Sequence, residues 1–192
     1  MALAQATDAF WRTGYAATSL DELSVATGMH RPSLYAAFGD KRTLHLKAIA
    51  RYREETWGRV AEVLRAPTPL VESLSRVFAE GLAAYLSGQE GPRGCFIVGT
   101  ALTEALVDEE VRAEIAAGLA ELDAAFEARF AAAREAGEIS VDADPVALAR
   151  MAAAILHTLS IRARAGDRKQ VLAQTAAAGV QLLSGARTPV SR

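Results

Sequence analysis

Arg31, Tyr35 and Lys41 fall within one eleven-residue stretch, and each can donate hydrogen bonds to an anion. The guanidinium of Arg31 is suited to pair bidentately with guanine, the commonest base-specific contact. Tyr35 and Lys41 suit backbone phosphate. His30 and Ser33 add short polar groups beside them, and Ala36 and Ala37 offer only methyls, which suit thymine methyls. Upstream, the hydroxyls of Thr18 and Ser19 stand at an expected helix start, where orphan N–H groups favour anions. Phosphate contacts of this kind set register and carry no sequence information. A solvated lysine and a core-edge tyrosine are the structural alternatives for Lys41 and Tyr35.

These side chains need two short helices and a tight turn. Thr18 reads as an N-cap, with Asp21 three residues on completing a capping-box pattern. Leu20 and Leu23 share one face of the first helix. Gly28 suits a left-handed turn position. Arg31 and Pro32 open the second helix, where proline removes an N–H that has no helical partner. Leu34 and Phe38 form an i, i+4 apolar stripe, and Tyr35 lies off it. This is a helix-turn-helix pattern, which places its second helix in the DNA major groove.

The pattern resembles the DNA-binding domain of the tetracycline-repressor (TetR) family of bacterial transcription regulators. The matching residues are Phe10, Gly14, Tyr15, Thr18, Ser19, Leu20, Ala26, Gly28, Leu34, Tyr35, Phe38, Lys41 and Leu44. The sequence departs from the pattern at Ser24, where alanine is usual, and at His30, where a serine cap is usual. It also lacks a polar or basic arm before the first helix. The resemblance implies an all-α fold, with a three-helix head (residues 1–50) joined by a long helix to a ligand-binding and dimerisation body (51–192). It further implies a cytoplasmic homodimer on a palindromic operator in double-stranded DNA, a repressor released by a small apolar effector. In the family the Tyr35 and Lys41 positions grip the backbone.

Composition agrees with a helical, non-secreted protein. Half of the 192 residues are hydrophobic, and β-branched runs are short. A single cysteine excludes an internal disulfide framework. The N-terminus has no basic n-region, so no signal peptide is expected. No apolar run was found to approach the roughly 20 residues of a membrane span, so no membrane partner is expected. The net charge of −2 divides unevenly: residues 1–53 hold seven Lys/Arg against four Asp/Glu, and the remainder fourteen against nineteen. A mildly basic head on an acidic body fits a protein that presents one face to phosphate.

Apolar periodicity and punctuation predict helices over residues 2–13, 41–64, 70–86, 95–106, 108–136, 144–165 and 168–183, besides the two of the motif. Residues 87–94 read as a loop, and the tail from Ser184 as frayed. The eighth and ninth helices are apolar on more than one face. Met151, Ile155 and Leu159 mark one side of the eighth, and Ala149, Ala153 and Leu156 another. Such a pair is either deeply buried or a two-fold dimer interface, and the resemblance favours the dimer.

An effector site is expected among Trp57, Phe78, Tyr85, Phe96, Thr100, Thr103, Phe126 and His157, with aromatic walls and a few polar anchors. Aromatic residues at helical spacing serve equally as core. Cys95 opens a helix, where a thiol pKa can fall, with Arg93 two residues before it. A helical small-molecule module, or a thiol-based redox sensor acting through Cys95, is therefore the alternative function. His30, His45 and His157 are far apart in sequence and show no metal-ligand spacing. With no glycine-rich phosphate loop and no GxSxG, neither a metal, a cofactor nor an enzyme activity is expected.

Overall fold

The computed structural model describes residues 1–88 and 91–185. Among these residues every regular element is a helix: α1 (Ala2–Thr13), α2 (Leu20–Thr27), α3 (Arg31–Phe38), α4 (Lys41–Arg65), α5 (Leu70–Tyr85), α6 (Phe96–Thr103), α7 (Glu109–Glu135), α8 (Pro145–Arg164) and α9 (Lys169–Ser184). Gln89 and Glu90 of the expected loop, and the tail from residue 186, lie outside the described residues.

The helix ends follow local chemistry. Gly28 closes α2 in the left-handed region (φ 65, ψ 18), where a Cβ would be strained. Asp144 accepts from the Val146 N–H at 3.0 Å, and Pro145 takes the first helical position of α8. Asp108 accepts from Glu110 N and Val111 N at 3.0 and 3.1 Å, capping α7. α6 is shorter than the expected 95–106. It ends at Thr103, and Val107 N and Asp108 N both turn back to the Glu104 carbonyl. Leu106 and Val107 are then exposed, with no core contact to extend the helix.

The packing does not divide the chain at a single cut near residue 50. Met1–Thr56 and Cys95–Gly118 form one compact unit. The described residues of Trp57–Gly94 and Leu119–Arg192 form the other, so α4 and α7 contribute to both. The first unit is built on Phe10, Leu23, Leu34, Leu44 and Ile49, all at most 3% exposed. Long-range ties bring residues 95–118 into it. Arg42 bonds Asp108 through two nitrogens (2.5 and 2.8 Å), Arg53 bonds Glu114 (2.6 Å), and the Phe96 ring meets Tyr52 edge-on at 5.7 Å.

In the second unit α5, α8 and α9 pack around Leu74, Phe78, Leu156, Leu159 and Leu172, each at most 2% exposed. Small residues allow this approach. A Cβ on Gly179 would come within 2.8 Å of the Ile155 Cδ1 and 3.4 Å of the Phe78 ring. On α7 the expected apolar seam continues through Leu122, Phe126 and Phe130, fully buried, with Leu119 half-buried. Arg129 is buried beside them. It donates to the Thr68 carbonyl (2.9 Å) and to Glu138 (2.8 Å), whose other oxygen accepts from Leu70 N. The charge is thus paired where it leaves water.

One expectation about α8 changes, and its two apolar sides are told apart. By length and composition alone α8 could cross a bilayer, with a mean hydropathy of 1.3 over its most apolar window. Polar interruptions hid this in the sequence. Its buried face (Ala149, Ala152, Ala153, Leu156, Leu159, Ala163) packs with α5 and α9, as in a core helix. Neither of the two apolar sides is wholly outward, and Ala149, Ala153 and Leu156 are all buried. Leu159 is fully buried and Ile155 half-buried, whereas Met151 and Ile161 are 56% and 49% exposed.

Candidate nucleic-acid interface

The interface starts with a cap one residue later than the sequence suggests. Ser19 is the N-cap of α2: its Oγ accepts from Glu22 N (3.1 Å), and its own N–H donates to Glu22 Oε2 (2.6 Å). Thr18 is only 1% exposed. Its hydroxyl donates to the Gly14 carbonyl (2.6 Å) and lies 2.7 Å from the Thr13 hydroxyl. Thr18 therefore joins α1 to the turn, and neither caps α2 nor reaches solvent. The overlapping spacings 18–21 and 19–22 both fit a capping box, and the longer glutamate side chain closes it. Hydrogen bonds from Ser19 hold the Glu22 carboxyl below its ordinary pKa.

Asp21, released from capping, binds Arg31. Nε to Oδ1 is 3.0 Å, and a second nitrogen meets Oδ2 at 2.6 Å, both side chains being exposed. This pair links α2 to the start of α3. His30 is the N-cap of α3 with no side-chain cap bond, and its imidazole is exposed. Within α3 only Leu34 is buried and Phe38 half-buried. Arg31, Ser33, Tyr35, Ala36 and Ala37 are all exposed, so an eight-residue helix is held by one anchored leucine while its outer face is open. Lys47 donates to the Phe38 carbonyl (3.4 Å) and helps to close the end of α3.

Asp40 then caps α4, accepting from Thr43 N at 2.7 Å. Lys41 is the first residue of α4, and its Nζ lies 4.4 Å from the centre of the Tyr15 ring. The neighbouring Arg42 is occupied by Asp108 and, at 2.9 Å, by Glu110. The Arg42 bonds pull the Asp108 carboxyl down to about 2. Of the two adjacent cations, Arg42 is thus neutralised within the unit, whereas Lys41 rests on a ring. Sequence reasoning missed Tyr15, Arg42 and Asp21 as parts of this surface. Tyr15 had a signal, as one of the residues carrying the family resemblance. The two ion pairs had none, because each depends on how separate elements pack.

The eight residues expected around an effector fall in both units. Phe96, Thr100 and Thr103 belong to the first, and Trp57, Phe78, Tyr85, Phe126 and His157 to the second. All except Thr103 and His157 are at most 6% exposed. Thr103 is exposed, its hydroxyl donating to the Gly99 carbonyl, and His157 is half-buried. Phe78 packs toward Gly179, and Tyr85 lies with Leu156 beside Gly81. An open groove of about 760 Å³ in the second unit is lined by Pro67, Ala125, Ala132 and Arg129, and none of the eight takes part in it. Cys95 is the N-cap of α6, but it is buried and receives a hydrogen bond from the Tyr52 hydroxyl (3.5 Å). Burial pushes its thiol pKa up, the reverse of what its helix position suggests.

Known proteins fit this geometry. Residues 2–48 match the family described as bacterial regulatory proteins, tetR family, and residues 73–178 match the tetracyclin repressor-like C-terminal domain. The chain belongs to the TetR family. The HTH-type transcriptional repressor ComR of Escherichia coli is 30% identical over 182 residues, covering 94% of this chain and 86% of ComR. An uncharacterized HTH-type transcriptional regulator of Bacillus subtilis, YezE, is 34% identical over 78% of this chain and 77% of its own length. Among solved structures, a cysteine mutant of the TetR family regulator CifR, complexed with 26-bp operator DNA, is 32% identical with a TM-score of 0.83. That alignment covers 94% of this chain and 93% of CifR. As a TetR-family member the chain is a DNA-binding transcription regulator with an all-helical body behind a helix-turn-helix.

Proposed function

We propose that this TetR-family chain is a cytoplasmic, homodimeric repressor that leaves a palindromic operator when a small apolar molecule binds its body. The observation that carries the reading is α3, whose exposed face presents Arg31, Ser33 and Tyr35 while Lys41 stands free of any ion pair among the described residues. In this reading Tyr35, Lys41 and Ser19 hold phosphate, and His30, Arg31 and Ser33 face base edges. Thr18 holds the turn beneath them. The repressor names of relatives and the operator complex of CifR support the same direction.

The dimer would use the outward faces of α8 and α9. Met151, Ala154, Thr158 and Ile161 follow one another at helical spacing on α8, and Ala178 and Leu182 do so on α9, all exposed. Leu182 is 81% exposed, which a second copy would cover. Effector binding would act by favouring the state that binds DNA less well. α4 is the element that carries both Lys41 and Trp57, so it is the shortest covalent route between the two functions. The buried Cys95, with its raised thiol pKa, does not support redox sensing.

The test is a duplex selected from random DNA by the wild-type protein. Arg31→Ala should relax the preference at one base pair of each half-site. Thr100→Phe should abolish release by an inducer, with operator binding retained, where an effector occupies the space beside it. In a solid core this buried position (4% exposed) would be overpacked and the melting temperature would fall. A selection that yields no enriched palindrome, or wild-type base preference in the Arg31 variant, would reject the assignment.

A further inference from the structure

Lys41, half-buried at the start of α4, is held by an aromatic ring. Its ammonium lies over the face of Tyr15, and no carboxylate bonds it among the described residues. Tyr15 in turn rests on His45, with ring centres 4.8 Å apart and planes tilted by 35°. His45 is 2% exposed and wedged edge-on against Phe10 (4.9 Å) and Phe96 (5.7 Å). Phe10 also stacks near Tyr15 at 6.2 Å. The stack thus runs from a buried aromatic floor through Tyr15 to the charge of the half-buried Lys41.

A ring face restrains a cation without neutralising it. A carboxylate in the same place would consume N–H donors and cancel the charge, as Asp108 and Glu110 do for Arg42. Over a π-face the ammonium keeps its full charge and the donors that point away from the ring for another partner. The floor must also be uncharged, because a cation beneath Tyr15 would repel Lys41. The buried Nε2 of His45 has no hydrogen-bond partner among the described residues. Burial, with Lys41 itself nearby, keeps this imidazole neutral.

We propose that Tyr15 is the positioning residue for the phosphate contact of Lys41, its ring holding the ammonium in place with its charge unpaired by any carboxylate among the described residues. This rests on reading Lys41 as a phosphate contact. Lysine is flexible, so an unplaced ammonium loses side-chain freedom on binding DNA. Tyr15 imposes part of that order beforehand.

The experiment is a double-mutant cycle on the full-length protein, read as affinity for a duplex selected by the wild type. Lys41→Ala should weaken binding and flatten the salt dependence by about one counterion. Tyr15→Phe keeps the ring face and should bind like wild type. Tyr15→Leu should weaken binding about two- to fivefold, the size of an exposed cation–π contact. In the Lys41→Ala background Tyr15→Leu should cost nothing more. An equal loss in both backgrounds would mean that Tyr15 only supports the fold, and wild-type binding by Tyr15→Leu would reject the positioning outright. Wild-type affinity and salt slope in Lys41→Ala would overturn the phosphate reading, and the positioning with it.

Discussion

Asp21 and Arg31 sit ten residues apart on different helices, and the Asp21 carboxylate takes the Arg31 guanidinium in two bonds of 2.6 and 3.0 Å. The residue best suited to read guanine is therefore oriented by an acid of the preceding helix. The acid also adds a negative charge to a surface meant for phosphate. Asp21→Asn should raise affinity for random-sequence DNA at low salt, through the lost repulsion. It should also reduce the preference at the base pair read by Arg31, because the fork is no longer aimed. Filter binding with selected and scrambled duplexes measures both. Unchanged discrimination would show that Asp21 does not orient Arg31.

The cap of α2 offers a stability test that separates two adjacent hydroxyls. Ser19→Ala should cost about 1 kcal/mol, the usual loss for an N-cap. Asp21→Ala should leave the cap intact, since Glu22 closes the box. Thr18→Val keeps the shape and the Thr18 N–H bond to the Gly14 carbonyl, but strips the hydroxyl bond to that carbonyl and the contact with the Thr13 hydroxyl. It should destabilise by about 1 kcal/mol, the usual net loss of a hydrogen bond. Urea unfolding of the three variants gives the order directly.

His45 predicts a pH dependence. Its pKa in the folded protein is about 4 against an ordinary 6.5, because burial disfavours the imidazolium. The groups facing it are Lys41, which lowers the value further, and Asp108, which raises it. A depressed histidine pKa means that the unfolded chain binds the proton more readily. Stability is then full above pH 6.5 and falls as pH drops from 6.5 toward 4, by up to about 1.4 kcal/mol per unit. His157, also lowered by burial, acts with the same sign. His45→Phe should flatten this slope while wild-type stability at pH 8 is approached. An unaltered slope from thermal melts across pH 7 to 4.5 would place the sensitivity elsewhere.

The outward face of α8 makes a sharper dimer test than its core. Ile161→Glu and Leu182→Glu alter exposed positions and should give folded monomers with weakened operator binding. Leu156→Glu and Val180→Glu alter residues only 2% and 5% exposed. They should unfold the body, because an unpaired charge cannot be buried there. Sedimentation and circular dichroism together distinguish the two results. A dimeric Ile161→Glu, Leu182→Glu double variant would exclude this face.

Much of the fold was legible from local sequence, because helix ends are decided by neighbours. Gly14, Gly28, Asp108, Asp144 and Pro145 stop or start helices through bonds spanning a few residues. The helix-turn-helix was legible for the same reason: its residue types recur at fixed offsets around one turn. Tertiary structure decided everything that depended on which elements meet. It buried Thr18, turned the Cys95 pKa upward, paired Asp21 with Arg31, and brought residues 95–118 into one unit with the head. It also chose which apolar side of α8 faces outward. A helix apolar on more than one side shows by its 3.6-residue period that distinct sides exist. Which face enters the core follows from neighbours distant in sequence, whose identity the period does not encode.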